Sequence, residues 1–145
     1  MQVSDVLRHK ADGGAVATVP GDATVADALS RLVGRNVGAL VVTADGEQVE
    51  GILSERDVAR GLHARGGQVL DDRVSSLMTA EVHTCTPMTG VQDLTRLMTE
   101  RRVRHVPVLV AGRLSGIVSI GDVVKARLDE LEAERAQLVD YIQTS

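Results

Sequence analysis

One seven-residue pattern occurs twice in this chain, and the repeat limits the possible folds more than any other feature. GILSERD begins at Gly51 and GIVSIGD begins at Gly116, with Gly, Ser and Asp in the same places. Earlier positions match at a constant spacing, since Thr84 stands 66 residues after Thr18, and the openings VSDVL and VSSLM also correspond. The chain is therefore predicted to be two copies of one unit that join near residues 66–68.

Each copy has the same order of predicted elements. An extended segment, VATV or VHTC, precedes a turn and a helix whose apolar residues recur at helical spacing. Two strands follow, at 37–43 and 51–53 in the first copy and at 103–110 and 116–118 in the second, and a further helix starts at the Ser of the repeated pattern. The predicted fold class is therefore α/β, with two pseudo-symmetric β-α-β-β-α repeats. They should pack sheet to sheet, because neither copy could bury its apolar sheet alone.

The predicted domains are a first repeat at residues 1–65, a second repeat at 66–127 and a C-terminal helix at 128–145. Apolar residues lie near one face of the C-terminal segment among many charges, namely Val124, Leu128, Leu131, Leu138 and Ile142. An amphipathic helix of this kind needs a partner, and the simplest partner is a second copy of the chain. We therefore expect a homodimer.

Two Thr residues have the spacing of helix caps. Thr24 is followed three residues later by Asp27, and Thr89 is followed by Gln92. In both copies, the helix that follows the extended segment is therefore predicted to begin just after this Thr.

The composition excludes several classes of protein. The chain of 145 residues is 43% hydrophobic and 25% charged, as ordinary globular proteins are. No apolar run is long enough to span a membrane, and the N-terminus lacks the apolar stretch of a signal peptide. The single cysteine, Cys85, cannot form an internal disulfide, which favours a reducing cytoplasm. The net charge of −4 makes nucleic acid an improbable partner.

The Ser-x-x-Asp of the repeated pattern has a structural and a functional interpretation. Ser followed by an acidic residue is a helix-capping pattern, and capping explains Ser54 and Ser119 well. It explains Asp57 and Asp122 less well, because the usual third-position partner is Glu or Gln. A helix N-terminus also attracts phosphate, and an Asp one turn later can accept hydrogen bonds from both hydroxyls of a ribose. A ribose 5′-phosphate therefore matches the pattern.

The order of elements, the repeated GhhS-x-x-D and the segment VRHVPVL resemble the cystathionine β-synthase (CBS) domain, here as a tandem pair or Bateman module. The resemblance covers nearly the whole chain. It implies a regulatory module that binds an adenine nucleotide (AMP, ADP, ATP or NAD) and is not an enzyme. S-adenosylmethionine lacks a phosphate and fits the basic residues less well. Modules of this family form flat dimers and regulate an attached domain or a partner, so we expect a homodimer and an effector protein in trans.

The resemblance also implies a set of ligand-binding residues. Ser54, Asp57, Ser119 and Asp122 would hold the ribose and the phosphate. The base would lie between an early and a middle strand of the sheet, and the basic strand of the second copy would reach the phosphates beside Asp57. The residues implied in these further roles are Thr18, Val37, Gly38, Ala39, Arg56, Thr84, Val103, Arg104, His105 and Pro107. Since the chain has no Phe or Trp, aliphatic side chains would cover the base.

Three other functions stay open. A nucleotide-hydrolysing enzyme would need a general base, for which the sequence offers only His105. A nucleic-acid binder could use the basic run at 101–105, but it would lack aromatic platforms. The third alternative is a structural dimer with empty clefts.

The side chains that could carry other chemistry are scattered. The four His residues and Cys85 show no metal-ligand spacing, so we predict neither a metal site nor catalytic residues. Cys85 is expected to be an inert, half-buried residue. His105 is expected to gain charge, and to add affinity for phosphate, below about pH 6.5.

Overall fold

The computed structural model describes residues 1–10 and 15–144. Residues 11–14 of the first predicted repeat and residue 145 of the predicted C-terminal helix lie outside the described residues. The helices are α1 (Val3–Arg8), α2 (Val25–Arg35), α3 (Glu55–Arg65), α4 (Val74–Leu77), α5 (Val91–Arg101) and α6 (Ile120–Thr144), with a 3₁₀ helix at Gly66–Asp71. The strands are β1 (Thr18–Val19), β2 (Ala39–Val42), β3 (Gly51–Ser54), β4 (His105–Val110) and β5 (Arg113–Ser119).

Two small sheets form the centre of the fold. In the first sheet, β2 pairs in parallel with β1 and antiparallel with β3, so that Leu40 lies opposite Leu53. In the second sheet, β4 and β5 are antiparallel, and Val106 lies opposite Val118. All four of these side chains are fully buried. The predicted α/β class with two related repeats is confirmed.

The second sheet differs from the first at both of its ends. The segment VHTC contributes one bridge, between Cys85 and Val108, and no strand in this described part of the chain. The β4–β5 turn has only two residues, Ala111 and Gly112, with φ of 52° and 77°. A left-handed two-residue turn matches the twist of a hairpin. Pairing therefore starts at Arg113, and the strand predicted at 116–118 is longer than expected.

The two copies exchange their first helices. Val3 and Val6 of α1 are fully buried in the hydrophobic cluster of the second copy, together with Val106. Val74 of α4 is fully buried in the cluster of the first copy, together with Leu40. Each copy therefore completes its core with the first helix of the other copy.

Backbone hydrogen bonds repeat this exchange symmetrically. The amide of Val3 donates to the carbonyl of Thr89 at 2.9 Å, and the amide of Val74 donates to the carbonyl of Ala23 at 2.8 Å. Ala23 and Thr89 are equivalent positions of the repeat. The two copies are therefore joined by main-chain contacts as well as by their cores.

One of the two predicted Thr caps is present. The amide of Asp27 donates to Thr24 Oγ1 at 3.1 Å, and α2 begins after Thr24. The predicted cap of Thr89 with Gln92 is wrong, because Gly90 is the N-cap of α5 and makes no side-chain cap. The Thr89 hydroxyl oxygen instead accepts from the backbone amide three residues earlier, at 3.0 Å.

Helix α6 is continuous from the second repeat into the predicted tail. Its 25 residues extend over about 37 Å. Val123 and Ala126 are buried, whereas Leu128, Leu131 and Leu138 are 57%, 54% and 63% exposed. The predicted boundary between residues 127 and 128 lies inside this helix, and the predicted limits of the two repeats stay predictions. Of the helices described, none has the length and apolar composition that crossing a bilayer requires.

Candidate functional site

The repeated Ser-x-x-Asp caps a helix in both copies. The amide of Asp57 donates to Ser54 Oγ at 3.2 Å, and the amide of Ser54 donates to Asp57 Oδ2 at 2.9 Å. The amides of Asp122 and Ser119 make the same pair of bonds at 3.1 and 2.8 Å. The aspartates are therefore capping residues, contrary to the expectation that capping explains them poorly. In each copy the cap uses only one carboxylate oxygen, Oδ2.

The two aspartates differ in their remaining partners. Asp57 Oδ1 accepts a hydrogen bond of 3.3 Å from Thr79 Oγ1. Asp122 Oδ2 instead forms an ion pair with Lys10 Nζ at 3.1 Å, and the two side chains are only 21% and 13% exposed. Lys10 Nζ also donates to the carbonyl of Ile117 at 2.9 Å. A half-buried cation therefore occupies the second motif, whereas a neutral hydroxyl occupies the first.

A cleft of about 500 Å³ opens at Ser54 and Asp57. Clefts that hold small molecules usually have volumes of about 300–1,000 Å³. Its walls come from β2, β3, the start of α3, the segment that follows α4, and the chain from the end of α5 into β4. Its lining residues are Gly38, Ala39, Ile52, Ser54, Glu55, Arg56, Asp57, Arg60, Thr79, Glu81, Val82, His83, Arg101, Arg102, Val103, Arg104 and His105. The cleft therefore lies between the two copies.

The cleft is strongly basic although the chain is acidic overall. It contains five arginines, Arg56, Arg60, Arg101, Arg102 and Arg104, against three acidic residues. Within residues 1–10 and 15–144, the side chains of these five arginines form neither an ion pair nor a hydrogen bond. Guanidinium groups without partners, gathered in one concave surface, are chemically suited to an anion with several oxygens.

His105 lies at the point where the two sheets meet. Its ring is packed against Gly38, where an added Cβ would stand 3.1 Å from ring atoms Cε1 and Nε2. Only a residue without a side chain fits comfortably there. Gly38 therefore allows the half-buried imidazole of the second copy to reach the cleft of the first.

Burial lowers the pKa of His105 below its ordinary value of about 6.5. The carboxylates of Asp122 and Glu55 oppose this shift, while the positive charges of Lys10 and Arg104 add to it. The ring therefore gains its charge at a lower pH than an ordinary imidazole does. The expected gain of charge below about pH 6.5 is thereby displaced to lower pH in the ligand-free protein, because the expectation did not include the cost of burying the charge.

Cys85 is a core residue. It takes the position of Val19 in the first copy and is buried in the second hydrophobic cluster. Burial raises the pKa of its thiol to about 11, which keeps the sulfur protonated and unreactive at neutral pH.

The structure gathers about half of the predicted ligand residues. Those that line the cleft are Gly38, Ala39, Ser54, Arg56, Asp57, Val103, Arg104 and His105. Thr18, Val37, Thr84 and Pro107 do not line it. Thr18 pairs with Val41 in the first sheet, and its carbonyl accepts from the Arg31 guanidinium at 2.7 Å. A ligand contact for these four residues, and for Ser119 and Asp122 at the other motif, stays a prediction.

Several lining residues were missed because they follow the exchanged helix α4. Thr79, Glu81, Val82 and His83 belong to the second copy in sequence but reach the cleft of the first. The bridge between Thr79 and Ile52 fixes this segment to β3. The matching openings VSDVL and VSSLM were the available signal, but they do not indicate on which copy each helix packs. In the part of the chain that is described, no three metal-ligating side chains come together.

Comparison of this sequence with known proteins identifies its family. A profile of the CBS domain matches the chain twice, over residues 3–64 and 74–129. The Arabidopsis thaliana CBS domain-containing protein CBSX3, mitochondrial, is 41% identical over 148 residues, which cover 97% of this chain and 71% of that protein.

Solved structures agree with this family assignment. A CBS-domain containing protein of Agrobacterium tumefaciens is 41% identical, with a TM-score of 0.82 over 88% of this chain and 99% of its own. A CBS domain protein of Pyrobaculum aerophilum, solved in complex with AMP, is 26% identical, with a TM-score of 0.73 over 84% of this chain and 89% of its own. Both repeats match the CBS profile, and the chain belongs to the CBS-domain family.

Proposed function

We propose that the chain binds an adenine nucleotide in the cleft at Ser54 and Asp57 and acts as a regulatory module without catalytic activity. The observation that carries this proposal is the cleft that contains the Asp57 carboxylate together with five arginines that have no side-chain partner among the described residues. The AMP complex of the related Pyrobaculum protein supports it. AMP, ADP, ATP and NAD all contain the adenosine phosphate that this arrangement fits. Incubation with ATP and Mg²⁺ that released phosphate would instead favour the hydrolase.

Asp57 is suited to hold the ribose while it caps α3. Its Oδ2 remains on the amide of Ser54, and among the described residues Oδ1 accepts a hydrogen bond only from the Thr79 hydroxyl, at the long distance of 3.3 Å. The hydroxyls of a ribose could replace or share that bond. Capping and ribose binding are therefore compatible functions of one carboxylate.

The second motif is less suited to a nucleotide. The Lys10 ammonium lies 3.1 Å from Asp122 Oδ2 and is little exposed, so the carboxylate that a ribose would contact is already paired with a cation. A carboxylate paired with a cation is a weaker hydrogen-bond acceptor for a ribose than an unpaired one. We therefore propose that the Asp57 cleft is the stronger of the two sites.

Replacing Arg104 tests the phosphate part of the proposal. Arg104→Ala is expected to lower ATP affinity about tenfold and adenosine affinity less than twofold, because a charge-assisted bond to phosphate is lost. The loss for AMP should lie between these values, and all losses should shrink as salt rises. Titration calorimetry with the three ligands gives these affinities. Arg96→Ala is the matched control, since Arg96 lies on α5, outside the cleft.

Equal losses for ATP and adenosine would show that Arg104 shapes the cleft without holding phosphate. Wild-type protein that bound none of AMP, ADP, ATP or NAD would overturn the proposed function itself. In that case the structural dimer with empty clefts would become the better interpretation.

We also propose a homodimer that uses the exposed face of α6 and regulates an effector protein in trans, in the cytoplasm. Leu131→Glu is expected to raise the dimer dissociation constant at least about tenfold, because burying one leucine contributes about 1.5–3 kcal/mol. Ala133→Glu, on the opposite side of the helix, should change it little. Deleting residues 128–145 should weaken the dimer further. Sedimentation velocity that shows a wild-type monomer at micromolar concentration would contradict the dimer.

A further inference from the structure

Arg102 occupies a backbone position that disfavours its side chain. It ends α5 in the left-handed conformation, with φ 53° and ψ 41°. The equivalent residue of the first copy is Asn36, which ends α2 with nearly the same angles, φ 52° and ψ 48°. Among L-residues other than glycine, Asn tolerates this conformation best, and Arg does not. The fold therefore requires a left-handed residue here, and Arg is a poor choice for it.

Among the described residues, no contact of the Arg102 side chain offsets the cost of its left-handed backbone. The Arg102 side chain is exposed and forms no ion pair within the described ranges, 1–10 and 15–144. A cation near a helix C-terminus is favourable, but Arg101 already lies in the last turn of α5 in ordinary helical conformation. Helix stability therefore does not account for Arg102.

Arg102 also lies at the junction of two hollows. The cleft at Asp57 continues into a neighbouring hollow of about 560 Å³, and the two share Arg56, Arg102, Val103 and Arg104. The second hollow is completed by Met98, Thr99 and Ile120 and contains no acidic residue. The guanidinium groups of Arg56, Arg102 and Arg104 thus line a space next to the cleft that contains the Asp57 carboxylate.

We infer that Arg102 makes the cleft selective for nucleotides with two or three phosphates, by contacting the phosphates beyond the first. This inference rests on the proposed function. With the ribose at Asp57, the first phosphate lies within the cleft, and a longer phosphate chain extends into the hollow where Arg102 and Arg56 lie. Binding residues are often held in strained backbone conformations, which lower the stability of the fold but serve function.

The substitution Arg102→Asn tests both parts of the inference. It relieves the backbone and removes the charge, so the Tm should rise by about 2 °C while ATP affinity falls about tenfold. AMP affinity should change less than twofold. Arg96→Asn is the matched control, since it removes the same charge from a right-handed residue of α5 that lies outside both the cleft and the second hollow. That variant should leave the Tm unchanged or lower, and the ratio of ATP to AMP affinity unchanged.

The outcomes separate the inference from the proposed function. Wild-type protein that binds neither ATP nor AMP in calorimetry would overturn the proposed function. Wild-type binding with equal losses of ATP and AMP affinity in Arg102→Asn, or with no loss of either, would overturn only the selectivity of Arg102. A lowered Tm in Arg102→Asn would show that the left-handed arginine stabilises the fold, which would contradict the inference as well.

Discussion

Asp57→Ala is expected to lower ATP affinity about 100-fold, because two charge-assisted hydrogen bonds to the ribose hydroxyls are lost. The same substitution removes one half of the capping box of α3, the bond that the Ser54 amide donates to Asp57 Oδ2. It should therefore cost about 1 kcal/mol of unfolding free energy and lower the Tm by about 3 °C. Titration calorimetry and a thermal melt on the same protein measure the two effects.

Asp122→Ala is the matched control for the cap. It breaks the equivalent bond at α6, which the Ser119 amide donates to Asp122 Oδ2, and should lower the Tm at least as much, since the ion pair with Lys10 is also lost. ATP affinity at the Asp57 cleft should stay within about twofold of wild type. If Asp57→Ala lowers the Tm but binds ATP as tightly as wild type, the aspartate is a cap alone and the ribose role is wrong.

Separating the two copies is expected to unfold both. A cut between Gly66 and Gly67 would remove α1 from the second core and α4 from the first. Val3, Val6 and Val74 are all fully buried, and burying each contributes about 1.5–3 kcal/mol. Domains are stable by only about 5–15 kcal/mol, and each fragment is also too short for a large core.

The fragments 1–66 and 67–145 would be produced singly and mixed, and followed by circular dichroism and amide proton spectra. Each alone should lack a cooperative melt, and the mixture should regain one. A single fragment that melts cooperatively as a monomer would show that the exchanged helices are dispensable.

The repeat makes most of the fold predictable from the sequence. The equivalent patterns at Gly51 and Gly116 place the two hairpins, the two helices that begin after Ser54 and Ser119, and the overall β-α-β-β-α order. These features depend on local spacing and on turn residues, which a linear sequence displays. The exchange of α1 and α4 does not depend on such local features, because the apolar faces of VSDVL and VSSLM suit either core equally well.

The candidate site was less predictable than the fold, because some of its residues reach it only through contacts that the sequence does not display. Ser54, Asp57 and Arg104 were recognised from the pattern and from the basic strand, and they meet in one cleft. Thr79 enters that cleft only because α4 packs on the first copy. Lys10 lies 107 residues before Ile117, which accepts its hydrogen bond, and no local pattern connects the two.

The most direct test of the central claim is a crystal structure of the protein grown with ATP. The account predicts ATP in the cleft between the two copies, with both ribose hydroxyls within hydrogen-bond distance of the Asp57 carboxylate and the phosphates against Arg104 and Arg102. ATP bound with its ribose away from Asp57, or bound only at Asp122, would contradict it.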